Sequence, residues 1–189
     1  MRLTDAKIAL VDFDGTLLDS EGCWLEAYTL ACEKISVAPL AKIIDAFGQL
    51  CFEKWQALIK KQHGISDTQI TECAKEVYSR RPPKASVLAI LNSISEGCSR
   101  SIVTKEPSEL VKHWLQRYNV SGFDNIITSA NERAEAEYYR KPFLLLIDDN
   151  YRHCKAAKEA GALVIGINDH HSNERKMQMK ELCDLYIEE

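Results

Sequence analysis

The stretch that most constrains this chain is Ile8-Ala9-Leu10-Val11-Asp12-Phe13-Asp14-Gly15-Thr16-Leu17-Leu18-Asp19-Ser20. Four apolar residues in succession, with no polar alternation, read as a strand buried on both faces, the kind found in parallel sheets. The strand runs into two carboxylates one residue apart. Gly15 then allows a sharp turn. Ligands of open α/β sheets bind outside the carboxyl ends of the strands, so Asp12 and Asp14 stand where chemistry is done. Two carboxylates this close repel each other, and a divalent cation relieves that repulsion.

The rest of the chain alternates two patterns. Residues 23–81 carry apolar positions at helical spacing, first Trp24, Leu25, Tyr28, Ala31, Cys32 and Ile35. Further helices follow around Ile43–Phe47 and Cys51–Ile59, and Ser66 with Gln69 forms a capping-box signature for a fourth. Pro82-Pro83 marks the clearest internal boundary. After it, helical stretches at 85–96, 109–118, 131–139 and 154–160 alternate with strands at 101–104, 125–128, 143–149 and 163–167; a last helical turn and strand are expected within 182–187. Such alternation predicts an α/β fold with a doubly wound parallel sheet. The all-helical block is then an insertion: a core of residues 1–20 and 82–189, and a helical subdomain of residues 21–81.

Composition narrows the function. The chain has 189 residues, 46% of them hydrophobic, enough for a substantial core. A net charge of −4 argues against a general basic face for nucleic acid or anionic membrane. Seven cysteines, an odd number with no Cys-x-x-Cys pair, read as buried thiols in a reducing compartment; Cys32, Cys51 and Cys73 all fall among apolar helical residues. His170-His171 has no further ligands at zinc spacing and reads as solvated loop. With no cationic leader ahead of Asp12 and no apolar run of membrane-spanning length, a soluble cytoplasmic protein is expected.

Asp-Phe-Asp-Gly-Thr-Leu-Leu-Asp-Ser closely resembles the first motif of the haloacid dehalogenase (HAD) superfamily, most of whose members are magnesium-dependent phosphatases. The resemblance covers residues 7–22 and 84–167. It implies a HAD-like Rossmannoid core and makes the helical block a C1 cap, hinged at 20–22 and 80–84. It also implies roles. Asp12 is the nucleophile that takes the phosphoryl group and a ligand of Mg²⁺. Asp14 is the general acid and base, and its backbone carbonyl is a metal ligand. Thr104 hydrogen-bonds the phosphate. Asp149 matches the third metal carboxylate, with Asp148 as its supporting neighbour, because successive strand side chains point to opposite faces. Asp at position 14 favours phosphoryl transfer over dehalogenation.

Two features depart from the family pattern. Lys105 stands where Asn usually follows the Thr, and the cation of the third motif has no plain match. Lys141-Pro142 is the tempting one, yet Lys141 precedes Asp148 by an extended run of roughly 20 Å, at about 3.3 Å per residue, which a Lys side chain cannot span. Arg133 and Lys105 are the better placed phosphate-binding cations. The expected activity is hydrolysis of a small phosphorylated metabolite or nucleotide. A phosphomutase and a non-catalytic HAD-fold binding or regulatory protein are the alternatives. Substrate identity and oligomeric state are not legible in the sequence.

Overall fold

A computed structural model describes residues 2–128, 136–168 and 172–188. The chain divides into two compact units. One comprises Met1–Asp19 with Pro82–Glu189, the other Ser20–Arg81.

The first unit is built on a six-stranded sheet. Its strands are β1 (Ile8–Asp12), β2 (Ser99–Val103), β3 (Asn125–Ile127), β4 (Leu144–Asp148), β5 (Leu163–Ile167) and β6 (Leu185–Ile187). They lie in the order β3-β2-β1-β4-β5-β6, and every neighbouring pair is parallel. This is the expected doubly wound sheet. The chain builds outward from β1 through β2 to β3, then crosses back to lay β4 on the other side of β1. That reversal makes the β1–β4 junction the topological switch point, where such folds open a crevice for ligands.

The burial of the central strands follows from their position. Ala9, Leu10 and Val11 in β1, and all of β4, are buried because each strand is paired on both edges and covered on both faces. In-register residues of parallel strands share a face. Leu10 pairs with Leu146 and Leu146 with Val164, and all three enter one cluster with Cys154, Ala157 and Met179. The helices on this face are α7 (Tyr151–Glu159) and α8 (Asn173–Leu182). The sheet approaches them closely at Gly166. A methyl group there would lie 2.7 Å from Cys183 Sγ and 2.8 Å from Met179 Cε, so a residue without a Cβ fits the approach as it stands. The core unit also holds α5 (Ala85–Ser93) and α6 (Ser108–Arg117); Trp114 of α6 meets Phe13 edge-on, ring centroids 5.2 Å apart.

The second unit contains α1 (Cys23–Lys34), α2 (Ala41–Ala46), α3 (Phe52–His63) and α4 (Asp67–Tyr78). The capping box forms: the Gln69 N–H donates to Ser66 Oγ at 3.2 Å and the Ser66 N–H to Gln69 Oε1 at 2.8 Å. The core of this unit is aromatic. Trp24, Tyr28, Trp55 and Tyr78 are all buried, and their polar atoms are provided for. Trp55 Nε1–H donates to the Ile43 carbonyl at 2.9 Å, and the Tyr28 hydroxyl accepts from the Leu40 N–H at 2.9 Å. Burial pushes the Tyr28 phenol up to about 12.

Several boundaries differ from the sequence reading. β4 begins at Leu144 because Phe143 takes a left-handed conformation (φ 56°) and is 57% exposed, its carbonyl accepting from the Lys7 N–H at 3.0 Å. β3 stops at Ile127. The helix expected over 131–139 is described only at Ala136–Tyr139, a 3₁₀ turn. The helical turn expected within 182–187 lies upstream instead: α8 ends at Leu182 and 185–187 is β6. Of α8, Met179 is buried and Leu182 partly so, which makes no repeating apolar stripe. Cys51, expected to be buried, is exposed at the N-cap of α3. His170 and His171 lie outside the described residues. No helix among the described residues is long and apolar enough to cross a membrane.

Candidate active site

The site begins where β1 ends. Val11 is in register with Ile147, so Asp12 is abreast of Asp148 one strand away, and the two side chains leave the sheet on one face. Neighbouring strands are only about 4.8 Å apart. Asp149 follows directly. Oxygen atoms of Asp12, Asp148 and Asp149 all lie within 4.8 Å of one another, at the switch point between β1 and β4. The alternation expected to separate Asp148 from Asp149 does not reach Asp149, because the strand ends at Asp148. Asp14 is not part of this group. It sits on the following turn, where Gly15 adopts φ 72° and the Leu17 N–H closes back on the Phe13 carbonyl at 2.9 Å.

Asp12 and Asp148 are 7% and 0% exposed. Carboxylates this buried need partners. Asp148 accepts from the Asn150 N–H at 2.8 Å and from His153 Nδ1 at 3.1 Å. Against an ionised Asp148, which can only accept, the Nδ1-protonated tautomer of His153 is the one that makes this bond. Asn150 also caps α7, its side chain accepting from the Arg152 N–H at 2.9 Å. Asp149 accepts from the buried Thr16 hydroxyl at 3.3 Å. Three clustered carboxylates offering only hard oxygen donors suit a hard divalent cation.

Thr104 immediately follows β2, buried, with its N–H on the Ile127 carbonyl at 3.0 Å. Since Asp12 pairs with Val103, Thr104 lies one residue beyond the level of Asp12 at the same sheet edge. Its hydroxyl accepts from the Glu106 N–H at 3.0 Å, which leaves its own O–H to donate. Lys105 is exposed. Lys141 precedes the amino end of β4, its Nζ 5.6 Å from the centre of the Tyr138 ring. Arg133 lies outside the described residues.

Three supporting residues escaped the sequence reading. Thr16 stood inside the first motif without an assigned role. His153 follows Asp148 by five positions and so falls in the first turn of α7, a spacing that could have flagged it. Lys84, which the sequence places only at the end of the 80–84 hinge, holds the Asp14 turn. Its Nζ donates to the Gly15 carbonyl at 2.7 Å and to the Asn168 carbonyl at 3.1 Å.

Comparison with known proteins bears on the family and the fold. A family model described as haloacid dehalogenase-like hydrolase matches residues 9–167. No curated protein matches significantly. Among solved structures, a Thermotoga maritima protein bearing the name β-phosphoglucomutase superposes with a TM-score of 0.69 at 18% identity, covering 96% of this chain and 94% of its own. The HAD-hydrolase YfnB of Bacillus subtilis, solved with magnesium, gives 0.64 at 16% identity, with 96% and 94% covered. CbbY of Rhodobacter sphaeroides, solved with phosphate, gives 0.64 at 15% identity, with 96% and 93% covered. At these identities the superpositions speak for the fold. The family match spans most of the chain and takes in both the β1 carboxylates and the β4 pair; the chain belongs to the haloacid dehalogenase-like hydrolase family.

Proposed function

We propose that this protein is a Mg²⁺-dependent phosphohydrolase that acts on a small phosphorylated metabolite or nucleotide through an aspartyl-phosphate. The observation that carries the reading is the convergence of Asp12, Asp148 and Asp149 at the switch point, with Asp14 on the adjoining turn.

Asp12 attacks phosphorus with one carboxylate oxygen while the bond to the leaving oxygen breaks. Asp14 gives that oxygen its proton. Asp14 then takes a proton from water, which attacks the same phosphorus and restores the Asp12 carboxylate with release of phosphate. Asp12, Asp148, Asp149 and the Asp14 backbone carbonyl are the groups that would hold Mg²⁺, which supplies charge neutralisation for the phosphoryl oxygens. Thr104 donates its hydroxyl to one of those oxygens, and Lys105 or Arg133 adds positive charge. The helical unit serves as the cap and selects the substrate.

A phosphomutase shares the first half of this sequence and returns the phosphoryl group to a hydroxyl instead of water. The name carried by the Thermotoga maritima neighbour keeps that as the second reading.

The test is a phosphate-release screen over aryl phosphates and phosphorylated metabolites, with Mg²⁺ and with chelator. Metal-dependent release is expected, falling at least ~10³-fold in Asp12→Asn. Isomerised phosphate esters without free phosphate would favour the mutase. No turnover of any substrate with Mg²⁺ or Mn²⁺ would leave a binding protein.

A further inference from the structure

The core unit carries a second concavity, bounded by Asp149, Asn150, Tyr151, Arg152 and Arg175, with a volume of about 290 Å³. We propose that it binds a second phosphate group of the substrate, so that the preferred substrate is a bisphosphate. This rests on the phosphohydrolase reading above.

Size comes first. Sites that enclose a whole small molecule run from about 300 to 1,000 Å³. This recess lies just below that range and suits one anionic group better than a complete metabolite. Its position comes second. Asp149 belongs both to the carboxylate group at the switch point and to the wall of the recess. A molecule with one phosphate at Asp12 can therefore extend a second group along α7 without leaving the core unit.

Charge decides the ligand class. Two arginines and one aspartate line the recess, and that aspartate also belongs to the carboxylate group that could hold a metal. Arg80 and Arg140 are ion-paired, with Glu76 at 3.1 Å and with Glu137 at 2.8 Å. Among the described residues, Arg152 and Arg175 have no such partner. Arg175 instead lies over the Tyr151 ring, its guanidinium carbon 4.6 Å from the ring centre. A guanidinium held over a ring face still has N–H donors to offer an oxyanion. The end of α7 is not itself the binding element, because the Asn150 side chain already occupies the Arg152 N–H. Two forks supply more donors than a carboxylate can accept, whereas a phosphate dianion has the acceptors to use them.

The experiment compares alkanediyl bisphosphates of graded length with the matching alkyl monophosphates, in the intact Mg²⁺-loaded protein. The readout is the ratio of kcat/KM, bisphosphate over monophosphate. It should exceed unity at one optimal length and fall about tenfold in Arg175→Gln or Arg152→Gln, and further in the double variant. Circular dichroism checks that each variant is folded. Binding of a non-hydrolysable alkanediyl bisphosphonate, followed by calorimetry, gives a readout independent of turnover. If nothing is hydrolysed but the bisphosphonate binds in a manner that needs both arginines, the phosphohydrolase reading fails and the recess keeps its ligand. If monophosphates are hydrolysed and the ratio is near unity, or is the same in the arginine variants, the second phosphate site is overturned. Failure of the bisphosphonate to bind overturns it as well.

Discussion

Lys84 Nζ donates to the Gly15 carbonyl at 2.7 Å, and its backbone N–H donates to the Leu17 carbonyl at 2.8 Å. One residue from beyond the helical insertion thus holds the turn that presents Asp14 at both ends. Its second side-chain bond, to the Asn168 carbonyl at 3.1 Å, ties that turn to the end of β5. Lys84→Met is expected to leave the sheet intact and let the turn drift. Misplacement of a catalytic group by about 1 Å can cost ~10²-fold, so kcat should fall at least ~10-fold, with Lys84→Arg less affected. Steady-state kinetics with circular dichroism as the folding control make the check. An unaltered kcat would mean that the Leu17–Phe13 and Thr16–Asp149 bonds hold the turn without it.

Asp148 and Asp149 should separate by stability. Asp148 is fully buried and accepts from the Asn150 N–H and from His153. In Asp148→Asn an amide NH₂ has to sit among donors, leaving one buried group unsatisfied at about 1–3 kcal/mol. Asp149 is half-buried beside Thr16, and Asp149→Asn should cost under ~1 kcal/mol. Melts in chelator should therefore show a lowered Tm for Asp148→Asn alone. Added Mg²⁺ should raise the Tm of the unaltered protein and of neither variant. A normal Mg²⁺ response in Asp149→Asn would remove it from the ligand set.

The three cations make a graded test. A cation beside the transferring phosphoryl should be worth ~10²-fold or more. Lys105→Ala or Arg133→Ala is expected to cripple turnover, while Lys141→Ala, at the amino end of β4, should leave it nearly intact. Loss of activity in a stably folded Lys141→Ala protein would reverse the assignment.

Acid should loosen the β5–β6 edge. Asp184 accepts from Lys158 Nζ at 2.6 Å and from the Val164 N–H at 2.9 Å. Burial acts to raise its pKa, but those two hydrogen bonds outweigh it and hold the carboxyl below the usual range. A folded-state pKa below the unfolded value, about 3.9, means the unfolded chain binds more protons in the window between them. Stability from this group is present above that unfolded value and disappears as pH falls through the lower folded one. Chemical denaturation of the unaltered protein and Asp184→Asn should differ at neutral pH and converge in strong acid. A constant gap would show that the contribution is packing.

Local chemistry explains what was readable from the chain alone. Four unbroken apolar residues before Asp12 identify a central strand, and Ser66 with Gln69 identifies a helix start, because burial pattern and capping act over a few residues. Pro82-Pro83 marks the end of the helical block for the same reason; the compact units divide beside it, at Arg81 and Pro82. The extent of α8 escaped because a helix that buries Met179 and only part of Leu182 has no periodic stripe to read. Cys51 was misread because its apolar neighbours belong to a helix that starts after it. Only the tertiary structure placed Asp148 beside Asp12 as well as Asp149, because strand register and the point where β4 ends are set by pairing across more than a hundred residues. The same holds for Lys84 at the Gly15 turn and for Arg175 beside Arg152. Each contact depends on which strands the crossovers bring together, and no local pattern encodes that.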